Sequence, residues 1–552
     1  MVLQYKNVVF LFLVPIFISC GKSNITTGTT TTITPNDQHI SVLTQHNNNT
    51  RSGWNNNETK LTTSNVNAKT FGKLFSLSVD DQVYSQPLVV GNVYIANGTH
   101  NIVLIATVSN TVYAFDADDG TPYWQKNYSV NGLRAPKNTD MTGACGGGYQ
   151  DFSGSIGIVG TPVIDSVSQT IYFVARSTDG KFFYEYLHAI NITTGNENSG
   201  SPVKITASYK GNGDGSSNGT ISFNAQTANQ RAALTLVNGT VYVTFSSHCD
   251  WGPYHGWILG YDASTLTQKI VYNDTPNGSA GGIWQSGGGI AADAAGNLYF
   301  VIGNGTVGSG TNSSSVTNRG ESAMKLTPTG STLTVSSFFT PFNFQILEND
   351  DLDYGTLGAF LVPNTNLFFT GCKDGNLYIV NKDNMGGVST TKNNIVQTIF
   401  TIADANMHCQ PTYYQGATKE FAYIWAENDK LRAIPFNRAA NLFDANKQVF
   451  GTTSGPKGQN GAVLSVSSNG FMDGTGIVWA SYAASGDAEH TVSPGILRAF
   501  DANDITKELW NNNAQTAADR SGNYAKFAAP TIANGKVYLP TFSNQVGVYG
   551  LK

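Results

Sequence analysis

The stretch Val112 to Trp124, VYAFDADDGTPYW, constrains the rest of the chain most. Val112, Tyr113 and Phe115 make an apolar, aromatic-rich strand, Asp116, Asp118, Asp119 and Gly120 follow, and a second short strand is expected to bury Trp124. Aspartate side chains satisfy backbone N–H groups in tight turns and glycine supplies positive φ, so the pattern reads strand, turn, strand. Relatives return as LHAINITTGNE from Leu187, ILGYDASTLTQKIVY from Ile258, LYIVNKDNMGG from Leu377 and ILRAFDANDITKELW from Ile496. A hairpin repeated with a Trp or Tyr anchor is the signature of a β-propeller blade.

A second element, a turn followed by a strand with an apolar–aromatic pair, occurs eight times. Its marker residues are Tyr94, Tyr172, Tyr242, Tyr299, Phe368, Tyr423, Val478 and Tyr538. The copies lie about 63 residues apart. A four-stranded blade takes roughly 40–50 residues, so the excess is loop. The long loops span 131–160, 203–231, 273–289, 340–358 and 511–528, and they are expected on one face around the central channel. After the eighth copy only QVGVYGL remains, one strand short of a blade, while GKLFSLSV near the start resembles the missing outer strand. Pairing the two would remove the exposed edges, so the predicted fold is all-β, an eight-bladed propeller over residues 51–552 closed by its N- and C-terminal strands.

Residues 1–19 read as a signal peptide, because the apolar run from Val8 to Ile18 is too short to span a bilayer. The small residues around Cys20 resemble a bacterial lipoprotein signal, with Cys20 the lipidated residue and Phe17 a mild departure from the usual Leu. Residues 20–50, rich in Thr and Asn, are expected to be a flexible tether. With 32 basic against 37 acidic residues there is no basic surplus, so nucleic acid is not an expected partner. Four further cysteines can pair as Cys145–Cys249 and Cys372–Cys409, or remain buried thiols.

The repeats YAFDADDGTPYW and RAFDANDITKELW resemble those of the pyrroloquinoline-quinone (PQQ) quinoprotein propellers, and RSGWNNNETKLTTSNV resembles the start of quinoprotein dehydrogenases. The resemblance implies the eight-bladed fold. It leaves the chemistry open, because the same propeller serves PQQ dehydrogenases and non-enzymatic proteins such as the lipoprotein of the outer-membrane β-barrel assembly machinery. A PQQ dehydrogenase needs an aromatic platform, a Ca²⁺ held by oxygens and a catalytic Asp, and commonly carries a vicinal disulfide. This sequence has no adjacent cysteines.

The platform candidate is Trp284 in GGIWQSGGGIA, whose alternative role is packing between blades. The metal candidates are Glu348, Asp350, Asp351 and Asp353 in LENDDLDYG, which can equally cap their own backbone; NGDGSSNGT at Asn212 is a weaker case. SHCDWGPYHGW gathers His248, Cys249, Asp250, His255 and Trp257, a set that could bind a transition metal, form a polar ligand-binding loop or consist of satisfied structural groups. Arg231 and Arg520 precede inner strands and can clamp a carboxylate or pair with a neighbouring Asp.

Two functions follow. The preferred one is a non-catalytic binding or scaffold module without cofactor, lipid-anchored in the bacterial envelope at the outer membrane facing the periplasm. It holds an envelope protein or glycan on the loop-rich face. The alternative is a PQQ- and calcium-dependent oxidoreductase. The missing vicinal cysteines and the absence of a haem motif, G-x-S-x-G, P-loop or H-E-x-x-H weigh toward the first.

Overall fold

The turn that recurs in the sequence recurs in space with one hydrogen bond in common. In five hairpins an Asp or Asn side-chain oxygen accepts the backbone N–H two residues on. Asp116 accepts from Asp118 (2.7 Å), Asn191 from Thr193 (2.9 Å), Asp262 from Ser264 (3.0 Å), Asn381 from Asp383 (2.9 Å) and Asp501 from Asn503 (2.8 Å). The side chain replaces a backbone acceptor and fixes the reversal locally. The aromatic residue that follows reaches the next sheet. Trp124, half-buried rather than buried, donates to Ile192 O (3.0 Å), and Trp510 lies edge-on to Phe71.

The computed structural model describes residues 39–308, 317–400, 402, 406–455 and 458–552. These form eight blade sheets, antiparallel apart from two short parallel additions, spanning 88–127, 163–204, 235–273, 291–340, 360–399, 412–454, 462–511 and, for the last, 71–78 with 531–551; a separate two-stranded hairpin pairs Ser208–Lys210 with Thr220–Ser222. In blade 8, Phe71–Ser78 pairs antiparallel with Gln545–Leu551, Phe71 opposite Leu551 and Ser78 opposite Gln545. The chain is therefore an eight-bladed β-propeller sealed by its two ends, as the repeats predict. Among the described residues the one α-helix is Phe344–Asn349, in the connection between blades 4 and 5.

Blade 1 departs from the expected register. Leu88–Ile95 is a single strand with a bulge between Val90 and Val93, and the turn falls at Ala96 and Asn97, both at positive φ. Tyr94 therefore ends the first strand, 67% exposed, instead of sitting buried in the second, Gly98–Ala106.

Of the expected tether, residues 20–38, with Cys20, lie outside the described residues, as does the 1–19 segment, whereas residues 40–55 line the propeller axis. They meet the inner strands of the blades in order. Val42 exchanges both backbone bonds with Val89, and Ile164 donates to Leu43 O. The Asn49 amide donates to Leu236 O, and Ala292, Leu361, Tyr413 and Val466 donate to the carbonyls of Asn49, Thr50, Ser52 and Gly53. Asn55 then donates to Ile532 O. A polar, apolar-poor segment stays ordered here because its backbone groups, with the Asn49 and Asn55 amides, satisfy all eight inner strand edges.

Arg51, 2% exposed, anchors this segment. Its guanidinium donates to the carbonyls of Ile290 (3.0 Å), Gln45 (2.8 Å) and Leu234 (3.2 Å) and to the hydroxyls of Thr44 (2.7 Å) and Thr235 (2.6 Å). Burial brings its pKa down to about 9.

Cys145 and Cys249 form a disulfide across 104 residues. The second expected bridge is absent: Cys372 and Cys409 are free, buried thiols. They sit in different apolar clusters, and Cys372 Sγ donates to Leu352 O at 2.9 Å instead. Burial pushes the Cys409 thiol up to about 12.

Two measurements check this architecture. Alkylation of denatured, unreduced protein labels Cys372 and Cys409 but not Cys145 or Cys249, and reduction of the bridge costs about 2–4 kcal/mol of stability. Burial holds His46 at a pKa of about 4, against 6.5 for an ordinary histidine. Between these values the unfolded chain binds a proton that the folded chain does not. Stability therefore falls as pH is lowered from 6.5 to 4, by at most about 3 kcal/mol from this group. His46→Asn, tolerated at the left-handed φ of 54°, should flatten the slope of unfolding free energy against pH in that window.

Candidate functional site

All five long connections converge on one cavity of about 300 Å³. Segment 131–160 contributes Cys145, Asp151 and Phe152, and 203–231 contributes Asn229 and Arg231. Trp284 comes from 273–289, Asp351 and Asp353 from 340–358, and Lys526 and Phe527 from 511–528. The volume is at the lower end of pockets that take small organic ligands, about 300–1,000 Å³.

One end of the cavity is cationic. Arg231, 6% exposed, lays its guanidinium over Phe527 (4.6 Å to the ring centroid) and Tyr84 (5.3 Å). Among the described residues its hydrogen bonding is a single long contact to Lys526 O (3.4 Å). Lys526, 5% exposed, donates its ammonium to Glu489 O. Among the described residues no carboxylate lies within ion-pair distance of either. Asp151, whose charge acts on both, lies 3.4 Å from His490 Nδ1. Burial lowers Arg231 to about 10 against the opposing pull of Tyr84, Tyr149 and Asp151, and lowers Lys526 to about 8. Trp284 stands beside this end, perpendicular to Phe527 and tilted to His408, both at 5.9 Å. His408 Nδ1 is held by Glu427 (2.6 Å).

The other end is acidic. Cys249 and Asp250 both take left-handed backbone (φ 52° and 46°), and Asp250, exposed to the cavity, accepts the Tyr254 hydroxyl at 2.6 Å. Lys373 bridges Asp353 (2.8 Å) and Asp351 (3.4 Å). Burial works against the Lys373 ammonium, but Asp353 and Asp351 outweigh it and hold its pKa above the ordinary lysine value. Asn304 donates its backbone N–H to Asp353 (2.7 Å) and its amide to Asp351 (2.5 Å). Burial, then the neighbouring carboxylates, raises the pKa of Asp250. Behind this wall the fully buried Glu321 accepts from Tyr354 N (2.7 Å), leaving Oε1 unpartnered.

Of the residues singled out in the sequence, Trp284, Arg231, Asp250, Asp351 and Asp353 line this cavity. Glu348 accepts from Gly305 N (2.5 Å), and Asp350 is exposed at the end of the helix. His248 is buried behind the wall, bonded to the Tyr149 hydroxyl (2.7 Å). His255 faces a second, smaller cavity, held by Thr275 (2.9 Å) and Asp214 O (2.8 Å). Arg520 is exposed and away from the cavity, its carbonyl accepting from Lys73. Sequence reasoning missed Lys526, Phe527, Tyr84, Tyr254 and Lys373. Lys526 and Phe527 carried a signal in their place in a loop already marked as long, and Tyr254 in its place within SHCDWGPYHGW; Tyr84 and Lys373 carried none.

No protein-family model matches the sequence, and no curated protein matches it significantly. Solved structures do. The quinohemoprotein alcohol dehydrogenase of Comamonas testosteroni superposes with a TM-score of 0.58 at 14% identity, covering 94% of this chain and 81% of that one. A quinohemoprotein alcohol dehydrogenase of Pseudomonas putida gives 0.55 at 13%, covering 93% and 80%. A europium-containing methanol dehydrogenase gives 0.53 at 12%, covering 92% and 90%. At these identities the likeness establishes the fold: this chain has the eight-bladed propeller architecture of the quinoprotein dehydrogenases.

Proposed function

We propose that this chain is a non-catalytic binding module that takes an anionic group of an envelope protein or glycan into the loop-rich cavity. In this reading Cys20 anchors it to the outer membrane on the periplasmic side. One observation carries the binding role: Arg231 and Lys526 are buried, face an aromatic-walled cavity and, among the described residues, have no carboxylate bonded to them. Taking a cation out of water costs several kcal/mol unless an anion compensates it, so a pair left open marks a place for one.

The second reading is a PQQ- and calcium-dependent oxidoreductase. Its favouring observation is Trp284 beside Arg231, a flat ring next to a cation that suits a planar, carboxylate-bearing quinone. The metal half does not fit the residues present. Asp351 and Asp353 are bridged by the Lys373 ammonium, and Asn304 and Gly305 donate to Asp351, Asp353 and Glu348. Oxygens committed to internal donors are not available to Ca²⁺, which takes 6–8 of them.

Thermal unfolding with PQQ and Ca²⁺, alongside dye-linked alcohol oxidation, separates the two readings. A cofactor present at 100 times its Kd would stabilise the folded chain by about 2.7 kcal/mol. The expected result is no calcium-dependent shift and no turnover. A shift with turnover would overturn the binding-module reading. Capture from detergent-solubilised envelope should recover a partner with the native chain and lose it with Arg231→Met.

A further inference from the structure

The cavity has two charged ends that do not neutralise each other. On one side Arg231 and Lys526 are bonded by no carboxylate among the described residues, although Asp151 and Glu489 also line the cavity there. Asp250, Asp351 and Asp353, offset by Lys373, leave the other negative. Among the described residues no ion pair joins Arg231 or Lys526 to Asp250, Asp351 or Asp353, whose cationic partner is Lys373, so the two sets stand apart. The same lining carries Trp284 and the polar residues Asn229, Ser246 and Ser247. A ligand carrying only an anion would satisfy Arg231 and leave Asp250 without a cationic partner. Charge of both signs, placed apart on one small molecule, satisfies both.

Building on the binding-module reading, we infer that the cavity recognises a zwitterion whose ammonium and carboxylate are separated by at least one amide. This is the chemistry of a short peptide with free ends and an aromatic or apolar side chain. The carboxylate meets Arg231 and Lys526, and the ammonium meets Asp250. The peptide amide lies along Asn229, Ser246 and Ser247, and the aromatic side chain lies against Trp284. An ammonium donor suits Asp250 in particular, because among the described residues its carboxylate is bonded only by the Tyr254 hydroxyl.

Calorimetric titration of the whole chain with three probes tests this: the dipeptide Gly-Phe, its N-acetyl form lacking the ammonium, and its C-terminal amide lacking the carboxylate. Gly-Phe should bind about tenfold or more tighter than either blocked form, the effect of one lost charge-assisted contact. Asp250→Asn, an isosteric change that suits the left-handed φ, should reduce Gly-Phe to the affinity of the N-acetyl form without altering the latter. Arg231→Lys and Arg231→Met should weaken Gly-Phe and the N-acetyl form but leave the amide unchanged. The lysine variant guards against loss of folding in the methionine one. N-acetyl-Gly-Phe binding as tightly as Gly-Phe would overturn the inference while sparing an anion site, and equal binding of the amide would overturn it in favour of a cation site. Binding by none of the three would also overturn it, with the envelope capture then deciding the broader reading independently.

Discussion

Eight sheets set radially leave eight inner strand edges facing one axis, and the backbone groups along those edges need partners where water has little access. The chain meets this demand with its own residues 40–55, which visit every blade and end as a short parallel strand on blade 7, Trp54 opposite Val466. Arg51 holds that segment in place. Its five-donor fork fits an array of three carbonyls and two hydroxyls drawn from the segment itself and from the third and fourth blades. A lysine point charge could not span that array. The path also depends on left-handed residues, and at Gly53 (φ 68°) a Cβ would fall 2.5 Å from Thr412 Cγ2. Glycine is the residue that position admits.

Rim closure is a separate device. The first outer strand, Phe71–Ser78, completes the last sheet, and Phe71 packs there against Trp479 and Trp510 of blade 7. The ring is thus fastened at its circumference by a hydrogen-bonded ladder and at its axis by the polar segment. The long connections touch both closures, Asp519 of 511–528 accepting from Lys73 N (2.8 Å) and Gly289 of 273–289 donating to the Gln45 side chain (3.2 Å). The ladder and the axial bonds themselves lie in strands and in residues 40–55, which leaves most of each loop to carry charge, strained turns and an open cavity.

What could be read from the sequence divides along the same line. The Asx turns are local: one side chain and the N–H two residues on decide them, so their positions and the resulting blade count were legible. The end-to-end closure was legible because it leaves one strand missing at one end and one surplus at the other. Blade 1 was misread because VVGNVY carries the same turn residues as the true hairpins, while the chain bulges at that point and turns four residues later. The axial segment was misread because low apolar content usually means disorder. Its order comes from hydrogen bonds to strands hundreds of residues away, which no local pattern reveals. The site was half legible. Long loops marked where to look, and rare residues such as Trp284 stood out. Lys373 and Tyr84 lie outside those five loops, and their importance comes only from what the fold brings beside them.

The charges around the cavity bear on why its two ends remain distinct. Lys373 lies just after the strand Leu367–Gly371 of blade 5, and its partners Asp351 and Asp353 lie in the connection leading into the same blade. That compensation is therefore internal to one blade and needs no diffusible ion. Asp250 and the Arg231–Lys526 pair, by contrast, come from different connections and have been left unpaired with each other. The disulfide joins two of the loops concerned: Cys249 immediately precedes Asp250, and Cys145 belongs to the loop of Asp151, on which the Lys526 charge acts. A covalent tie of this kind limits how far the two loops can move relative to each other. The cost of holding unneutralised charge apart is borne by the fold, and it is recovered only when something of complementary charge enters the cavity.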